Sequence, residues 1–257
     1  MLIAEIHGKR FPEAEGQEDW LTSAVFGHLR HIPPEVFWAD LFDRAIAVGA
    51  DHESLHSRIK SAGISLNAYL KLEVFFWKSC GEYGEPDLII RFEGGQQAPL
   101  IAIVQVKLNS GKSGTGNDDQ LTKYLELLDD PTSLPVWSPS TGHRCLVYLT
   151  RAFPRLEIEE SIRLAAEAGK DDAAERMFGL QWQDVLESAA RNSYGHPLLE
   201  EVAEFLKVRG FEAFRGFRVS PHALEPVTGS FYGGPYFTPW VTAFYLNPGN
   251  GGRFYGH

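Results

Sequence analysis

Three β-rich runs follow one another in the middle of the chain, and they constrain its fold more than any other feature. They are YLKLEVFFW (residues 69–77), PDLIIRF (86–92) and PLIAIVQVKL (99–108), and the turn-forming stretches CGEYGE and EGGQQ separate them. Runs rich in β-branched and aromatic residues with short, Gly-containing connections are typical of adjacent strands. The pattern predicts a three-stranded meander.

Apolar residues at helical spacing surround these strands, and a further buried strand, CLVYLT (residues 145–150), follows the meander. The predicted helices lie at residues 18–29, 35–47, 52–60, 119–128, 157–168, 183–190 and 198–208. Because helices and strands alternate along the first half, the chain is expected to be an α/β protein with a mixed sheet flanked by helices.

The composition excludes several classes of protein. With 44% hydrophobic and 23% charged residues, the chain has enough apolar surface for a core of one or two domains. No apolar run reaches the roughly 18 residues of a spanning helix, and the start of the chain has no signal-peptide pattern. Cys80 and Cys145 have no metal-site spacing and fit a reducing compartment. We therefore expect a cytoplasmic protein without a membrane partner.

The formal charge of −10 argues against a protein that holds nucleic acid by bulk electrostatics, which requires many Lys and Arg residues. Residues 60–125 are an exception to the acidity, because they carry seven basic and seven acidic side chains. This segment is therefore neutral, and the acidic excess lies elsewhere in the chain.

Polar side chains mark the ends of two of the predicted strands. Asp87 opens the second strand, and Gln105 and Lys107 share one face of the third by the two-residue alternation of β structure. Neighbouring strands lie about 4.8 Å apart, so the three side chains converge on one point if the register allows.

This set of side chains suits phosphodiester hydrolysis. Carboxylate and amide oxygens hold a hard cation such as Mg²⁺, which polarises a phosphate and acidifies a bound water. Asp87 and Gln105 are the predicted metal ligands, with the backbone carbonyl of Val106 completing the set. Lys107 is predicted to orient the attacking water or to stabilise the developing charge.

Pro86-Asp87, Gln105-Val106-Lys107 and the QLTKY segment from Gln120 to Tyr124 together resemble the motifs of the PD-(D/E)XK nuclease superfamily. The resemblance covers residues 18–150 and implies a restriction-endonuclease-like αβββαβ core. It also implies a metal-dependent nuclease that uses Mg²⁺ or Mn²⁺. DNA is favoured over RNA as the substrate by the resemblance alone, and a homodimer would suit cleavage of both strands.

Gln105 departs from the superfamily pattern, which has Glu or Asp at this position. An amide oxygen supplies no charge, so a second carboxylate is required to hold the cation. Glu18 is one candidate, because EDWLTSAVFG is similar to the first helix of bacterial members of the superfamily. Glu73, on the first strand of the meander, is the other candidate, and the sequence does not choose between them.

Three further residues are candidates for substrate binding. Gln120 and Tyr124 lie on one helix face and could contact a phosphate or a base, or they could be a surface Gln and a half-buried Tyr. Lys112 could reach a phosphate from its Gly-rich loop, although a solvated loop lysine is the plainer interpretation. The same loop, SGKSGTG, lacks the spacing of a nucleotide-binding phosphate loop.

Two other functions stay open. The scaffold could be a catalytically weakened binding or interaction module, which the neutral Gln105 favours. His52-Glu53-x-x-His56 matches the zinc-protease motif, although the segment is polar and no third ligand is obvious.

The chain is interpreted as a nuclease-like core at residues 1–152, with a helical insertion, and an extension at 153–257 packed on that core. Residues 211–257 are rich in aromatic residues and are interpreted as core or as an oligomer interface, with base stacking as the alternative.

Overall fold

The structure is a computed structural model that describes residues 16–49, 52–114, 116–130, 132–134 and 142–212. Helices cover both faces of one open sheet in this part of the chain. The helices are α1 (Gly16–Leu29), α2 (Pro34–Arg44), α3 (Leu55–Ser61), α4 (Gln120–Asp129), α5 (Arg155–Glu167), α6 (Ala173–Arg176), α7 (Trp182–Arg191) and α8 (Pro197–Val208). The strands are β1 (Ile46–Ala47), β2 (Lys71–Phe76), β3 (Leu88–Glu93), β4 (Leu100–Val106), β5 (His143–Thr150) and β6 (Met177–Gln181).

The six strands form a mixed sheet in the order β1-β6-β5-β4-β3-β2. Strands β2, β3 and β4 are antiparallel neighbours, which confirms the predicted meander. Strand β5 runs parallel to β4, and β6 runs parallel to β5, while the short β1 is antiparallel to β6. The structure is therefore an α/β fold with a mixed sheet, as expected from the sequence.

Alternate residues of the central strands face two separate cores. On one face, Val104 and Val106 pack in the same core as Trp38 of α2 and Trp182 of α7. On the other face, Ile103 packs in the same core as α4 and α5 residues. Every residue of β4 is buried, and this explains its nearly continuous apolar sequence. Because β4 is packed on both faces, the backbone that carries Gln105 is held in one position.

Helix α2 is shorter than predicted, because it ends at Arg44 rather than at residue 47. Ala45 adopts an extended conformation, and Ile46 and Ala47 then pair with β6. The sequence analysis did not predict β6, whose run MFGLQ lies in a region expected to be helical. Pairing with β5 and β1, rather than a local pattern, makes this run a strand.

Residues 153–212, which were predicted to begin the extension, contribute β6 to the same sheet. Phe178 and Trp182 also belong to the core that contains Phe26 of α1. All the described residues fall within one compact unit. The predicted aromatic surface of residues 211–257 lies almost entirely outside the described residues. Within the described residues, no helix is both long enough and apolar enough to cross a membrane.

Candidate active site

Asp87 lies directly before β3, and its side chain joins the ends of β3 and β4. Leu88 pairs with Val104, so the antiparallel register places Asp87 opposite Gln105. The Val106 N–H donates a hydrogen bond of 2.8 Å to Asp87 Oδ2. The Asp87 side chain thus accepts a β4 backbone N–H just beyond the last paired residues of β3 and β4. This hydrogen bond holds the carboxylate beside Gln105.

Burial controls the ionisation of Asp87, which is only 8% exposed. Desolvation raises the pKa of this carboxyl group to about 7. The hydrogen bond from Val106 and the Lys107 ammonium oppose this rise, whereas the charges of Glu18 and Asp19 add to it. Asp87 is therefore a carboxyl group that changes its charge near neutral pH and lies within electrostatic range of Lys107 and Glu18.

Gln105 is 2% exposed, and its amide group is incompletely paired. Its Nε2 donates a hydrogen bond of 3.3 Å to the Val106 carbonyl, but Oε1 has no hydrogen-bond partner in the described part of the chain. A buried acceptor without a partner costs free energy, so native structures rarely retain one without a reason. An oxygen in this state is suited to accept a cation or a water proton.

Glu18 reaches the same end of the sheet from the first turn of α1. Lys107 Nζ donates to Glu18 Oε1 at 3.1 Å, and the Leu108 N–H donates to Glu18 Oε2 at 2.8 Å. The side chains are 13% and 19% exposed for Lys107 and Glu18, respectively. The lysine is thus held in one orientation, with some access to solvent.

The structure places Glu73 away from this group. Glu73 pairs with Arg91, which pairs with Ile101, and Ile101 is four residues along β4 from Gln105. At about 3.3 Å per residue, this corresponds to roughly 13 Å along the strand. Lys71 Nζ lies 2.9 Å from Glu73 Oε1. Of the two predicted acidic partners, Glu18 is the one that lies beside Lys107.

Helix α4 lies behind the site and carries Gln120 and Tyr124. Gln120 Nε2 donates a hydrogen bond of 3.1 Å to the Tyr124 hydroxyl. Tyr124 is 1% exposed rather than half-buried, and burial raises the pKa of its hydroxyl, with a smaller contribution from Asp87. Tyr124 therefore offers no open surface to a substrate, and only Gln120 of this pair is partly accessible.

The expectation that Lys112 is a solvated loop lysine is wrong, because its side chain is only 6% exposed. Its ammonium contacts the Asp119 carboxylate, donates to Ser161 Oγ at 2.9 Å and lies 3.1 Å from Glu160 Oε2. Burial raises the pKa of Asp119, but the hydrogen bonds from Lys112 and Thr122 outweigh it and leave the pKa below its ordinary value. Lys112 thus ties its loop to α4 and α5, and its charge is already compensated.

The zinc-motif histidines do not share a helix face. His52 has a left-handed backbone with φ of 42° and precedes α3, which begins at Leu55 after the N-cap Ser54. His56 Nδ1 lies 2.9 Å from Asp43 Oδ1, and Glu53 pairs with Arg58. The arrangement on which the zinc-protease hypothesis depended is therefore not formed.

The donors near Asp87 fit a hard cation better than a zinc ion, because all of them are oxygens. They comprise the Asp87 carboxylate, the unpaired Gln105 Oε1, the Val106 carbonyl and Glu18. Within the described residues, no three His, Cys, Asp or Glu side chains are grouped as a metal site. A cation at this place would therefore need the Gln105 amide oxygen as well as the carboxylates. The negative charge of Glu18 would interact with both the cation and the Lys107 ammonium.

The sequence analysis missed the contacts that stiffen this region. The Tyr148 hydroxyl donates to Glu157 Oε2 at 2.6 Å, and the Lys112 N–H donates to the same oxygen at 2.9 Å. One of these contacts had a sequence signal. Asp119 is the N-cap of α4, and an Asp directly before an apolar helix is a common N-cap. Pairing across 45 residues of sequence, as between Lys112 and Glu157, leaves no local pattern.

Comparisons of the chain with protein-family models, with curated proteins and with solved structures found no match. A fold by itself does not establish an activity. The functional argument therefore rests on the chemistry of the residues around Asp87.

Proposed function

We propose that the protein is a nuclease that uses Mg²⁺ or Mn²⁺ to hydrolyse phosphodiester bonds of nucleic acid, with DNA as the expected substrate. The observation that carries this proposal is the pairing of a buried carboxylate, Asp87, with the unpartnered Oε1 of Gln105 at the ends of adjacent strands. The Lys107 ammonium and Glu18 lie at the same end of the sheet.

The order of elements supports this proposal. Helix α1, the antiparallel strands β2, β3 and β4, helix α4 and the parallel strand β5 follow the αβββαβ order of the PD-(D/E)XK superfamily. In this arrangement α2, β1 and α3 are insertions, and β6 extends the sheet. By this resemblance, Asp87 would be the metal ligand of the superfamily motif and Lys107 its lysine.

Each residue of the site has a distinct chemical task. A bound cation would supply positive charge that polarises the phosphate and acidifies a water, and Asp87, Gln105 Oε1, the Val106 carbonyl and Glu18 would hold it. Asp87 must lose its proton to act as a ligand, so binding is expected to strengthen as pH rises through about 7. Lys107 donates its N–H groups to the attacking water or a phosphate oxygen, and Glu18 fixes the direction of its side chain.

Cleavage assays on matched variants test this proposal. The full-length protein is incubated with linear, circular and single-stranded DNA and with RNA, in Mg²⁺, Mn²⁺ or EDTA. Asp87→Asn and Lys107→Gln should each lower the cleavage rate by roughly 10²-fold or more, since each removes charge at the reacting phosphate. Glu18→Gln should also slow cleavage.

Glu73→Gln is the matched control, because it removes a carboxylate from the same sheet about 13 Å away. This variant should cleave at the wild-type rate. Thermal unfolding of every variant shows whether the fold persists. Wild-type cleavage by a folded Asp87→Asn or Lys107→Gln protein would contradict the assignment.

The neutral Gln105 and the pairing of Lys107 with Glu18 favour one second candidate, a binding module on the same scaffold. In that case the protein would bind nucleic acid and leave it intact in every cation tested. The same assay therefore separates the two functions.

A further inference from the structure

A cleft of about 420 Å³ opens beside Lys107. Its walls are residues 107–111, which follow β4, and residues 150–157 at the end of β5 and the start of α5. Because β4 and β5 are parallel, both segments leave the same edge of the sheet, where open α/β sheets commonly bind ligands. The cleft thus shares Lys107 with the proposed active site.

The charged side chains that line the cleft are mainly basic, in contrast to the net charge of −10 of the whole chain. The lining includes three cations, Lys107, Arg151 and Arg155, and one carboxylate, Glu157. Lys107 is paired with Glu18, whereas the two arginines lie on the other wall. Glu157 is already engaged, because it accepts hydrogen bonds from the Tyr148 hydroxyl and the Lys112 N–H. The lining therefore suits an anionic ligand.

Both arginines are accessible to such a ligand. Arg151 is exposed, and its guanidinium carbon lies 5.3 Å from the centroid of the Phe211 ring. Arg155 forms an ion pair of 2.9 Å with Glu159, but both side chains are about half exposed, at 57% and 46%. Exposed ion pairs contribute little free energy, so a phosphate can replace Glu159 at small cost.

Phe153 adds a fixed aromatic surface to this basic lining. It is 38% exposed and is one of five large hydrophobic side chains that are exposed among the described residues. A Cβ placed on Gly179 would lie 2.8 Å from Phe153 Cε2 and 2.9 Å from Cζ, so the ring edge rests on the Gly179 backbone. The glycine in β6 thus leaves room for the ring, and the exposed part of Phe153 lines the cleft.

We propose that this cleft holds one unpaired nucleotide of the nucleic-acid strand, with its base against Phe153 and a neighbouring phosphate beside Arg151 and Arg155. The inference builds on the proposed nuclease function and specifies its substrate as single-stranded nucleic acid or an unpaired strand end. The volume lies within the range of about 300–1,000 Å³ for sites that hold one small organic ligand.

Stacking on Phe153 selects an unpaired base. In a duplex, bases present only their edges in the grooves, and their faces are covered by neighbouring bases. An aromatic side chain in a cleft therefore reaches a base face only when that base has left the stack. Backbone phosphates next to this base would be neutralised by the two arginines.

Binding without a divalent cation tests the inference independently of cleavage. Fluorescence anisotropy is measured in EDTA with a labelled 12-nucleotide oligothymidylate and with a duplex of the same length. The wild-type protein should bind the single strand more tightly.

Phe153→Ala should weaken this binding about tenfold, and Phe153→Tyr should retain it, because base stacking needs only an aromatic ring. Arg151→Gln should weaken binding. It should also lower the slope of log K against log salt concentration by about one, since one phosphate contact is lost.

Tyr194→Ala and Arg163→Gln are the matched controls, since both residues are exposed and neither lines the cleft. They should bind like the wild-type protein. Unchanged binding by Phe153→Ala, equal affinity for the duplex, or equally strong competition by free thymidine monophosphate would each overturn the inference.

The outcomes also separate this inference from the nuclease proposal. Asp87-dependent cleavage with wild-type binding by Phe153→Ala would leave the nuclease and reject the nucleotide cleft. Phe153-dependent binding of the single strand, without cleavage in any cation, would support the cleft as a binding site and reject the nuclease.

Discussion

At the scale of single residues, Asp87 shows how burial creates a chemically useful group at the expense of stability. An exposed carboxyl group would have its ordinary pKa of 3.8, whereas burial against β4 raises the pKa of Asp87 to about 7. The folded protein thus holds this proton over a pH range in which the unfolded chain has released it. A bound cation would favour the ionised form and offset the cost of burial.

This proton linkage has a measurable consequence. Between about pH 4 and 7 the folded protein binds more protons than the unfolded chain, so the free energy of unfolding falls as pH rises through this window. Asp87→Asn keeps a hydrogen-bond acceptor for Val106 but cannot ionise. In urea denaturation without cations, its stability relative to the wild-type protein should increase by roughly 2–4 kcal/mol between pH 5 and pH 8. Parallel stability curves for the two proteins would contradict the raised pKa.

Gln105 provides a second test at the same scale. Gln105→Glu adds a carboxylate at a position 2% exposed and directly opposite Asp87. Two such carboxylates repel each other without a cation and attract one more strongly. The variant should melt below the wild-type protein in EDTA and show a larger rise in Tm with Mg²⁺ or Mn²⁺. A clear fall in cation affinity would count against the proposed ligand arrangement.

At the scale of elements, the loop that precedes α4 is held by contacts with distant residues, among them the buried ion pair of Lys112 and Asp119. Asp119 is the N-cap of α4 and accepts a hydrogen bond of 2.9 Å from the Thr122 N–H. The same carboxylate contacts the Lys112 ammonium, which also donates to Ser161 of α5. This network joins the loop after β4 to helices α4 and α5, which cover the same face of the sheet. It therefore supports the cleft wall formed by residues 107–111.

Removing this carboxylate should destabilise the fold markedly. Asp119→Ala leaves the buried Lys112 charge with only the half-exposed Glu160 carboxylate beside it and removes the N-cap, so a loss of about 3–5 kcal/mol is expected in urea denaturation. Asp119→Asn should lose less, because its amide oxygen still caps the helix. The control is Asp118→Ala, whose side chain is 82% exposed and pairs with Lys123 at the surface. This control should unfold like the wild-type protein, and an equal effect of the Asp118 and Asp119 variants would refute the role of the buried pair.

At the scale of the whole molecule, the sheet joins distant parts of the chain. Strand β6 pairs with β5 on one side and with β1, more than a hundred residues earlier, on the other. Phe178 and Leu180 of β6 lie in the same core as α1 and α2 residues. The described residues before position 152 and those after it thus share one hydrophobic interior.

A fragment that ends at residue 152 should therefore fail to fold cooperatively. Without β6 and α7, it would lose the strand that pairs with β5 and would expose the core face that includes Val25 and Phe37. We expect no cooperative thermal transition by circular dichroism and strong binding of a hydrophobic dye. A fragment of residues 1–212 is the control for truncation and should unfold cooperatively. A sharp transition in the shorter fragment would show that residues 1–152 form an independent domain.

Local patterns explain which elements could be predicted. The meander and α4 depend on alternation, helical spacing and turn residues within a few positions of one another, so their existence follows from the sequence. The two-residue β1 and the five-residue β6 have no such pattern. Their backbone hydrogen bonds come from partners distant in sequence, and only the assembled sheet supplies them.

The same division holds for the site. The two-residue period of β structure was enough to place Gln105 and Lys107 on one face and to bring Asp87 to the adjacent strand end. The choice of Glu18 rather than Glu73 beside Lys107 required the register of β2 and the path of α1, because both carboxylates fit the sequence equally well. Tertiary packing alone decided that Lys112 is buried and that Phe153 lies over Gly179, since these contacts join segments tens of residues apart.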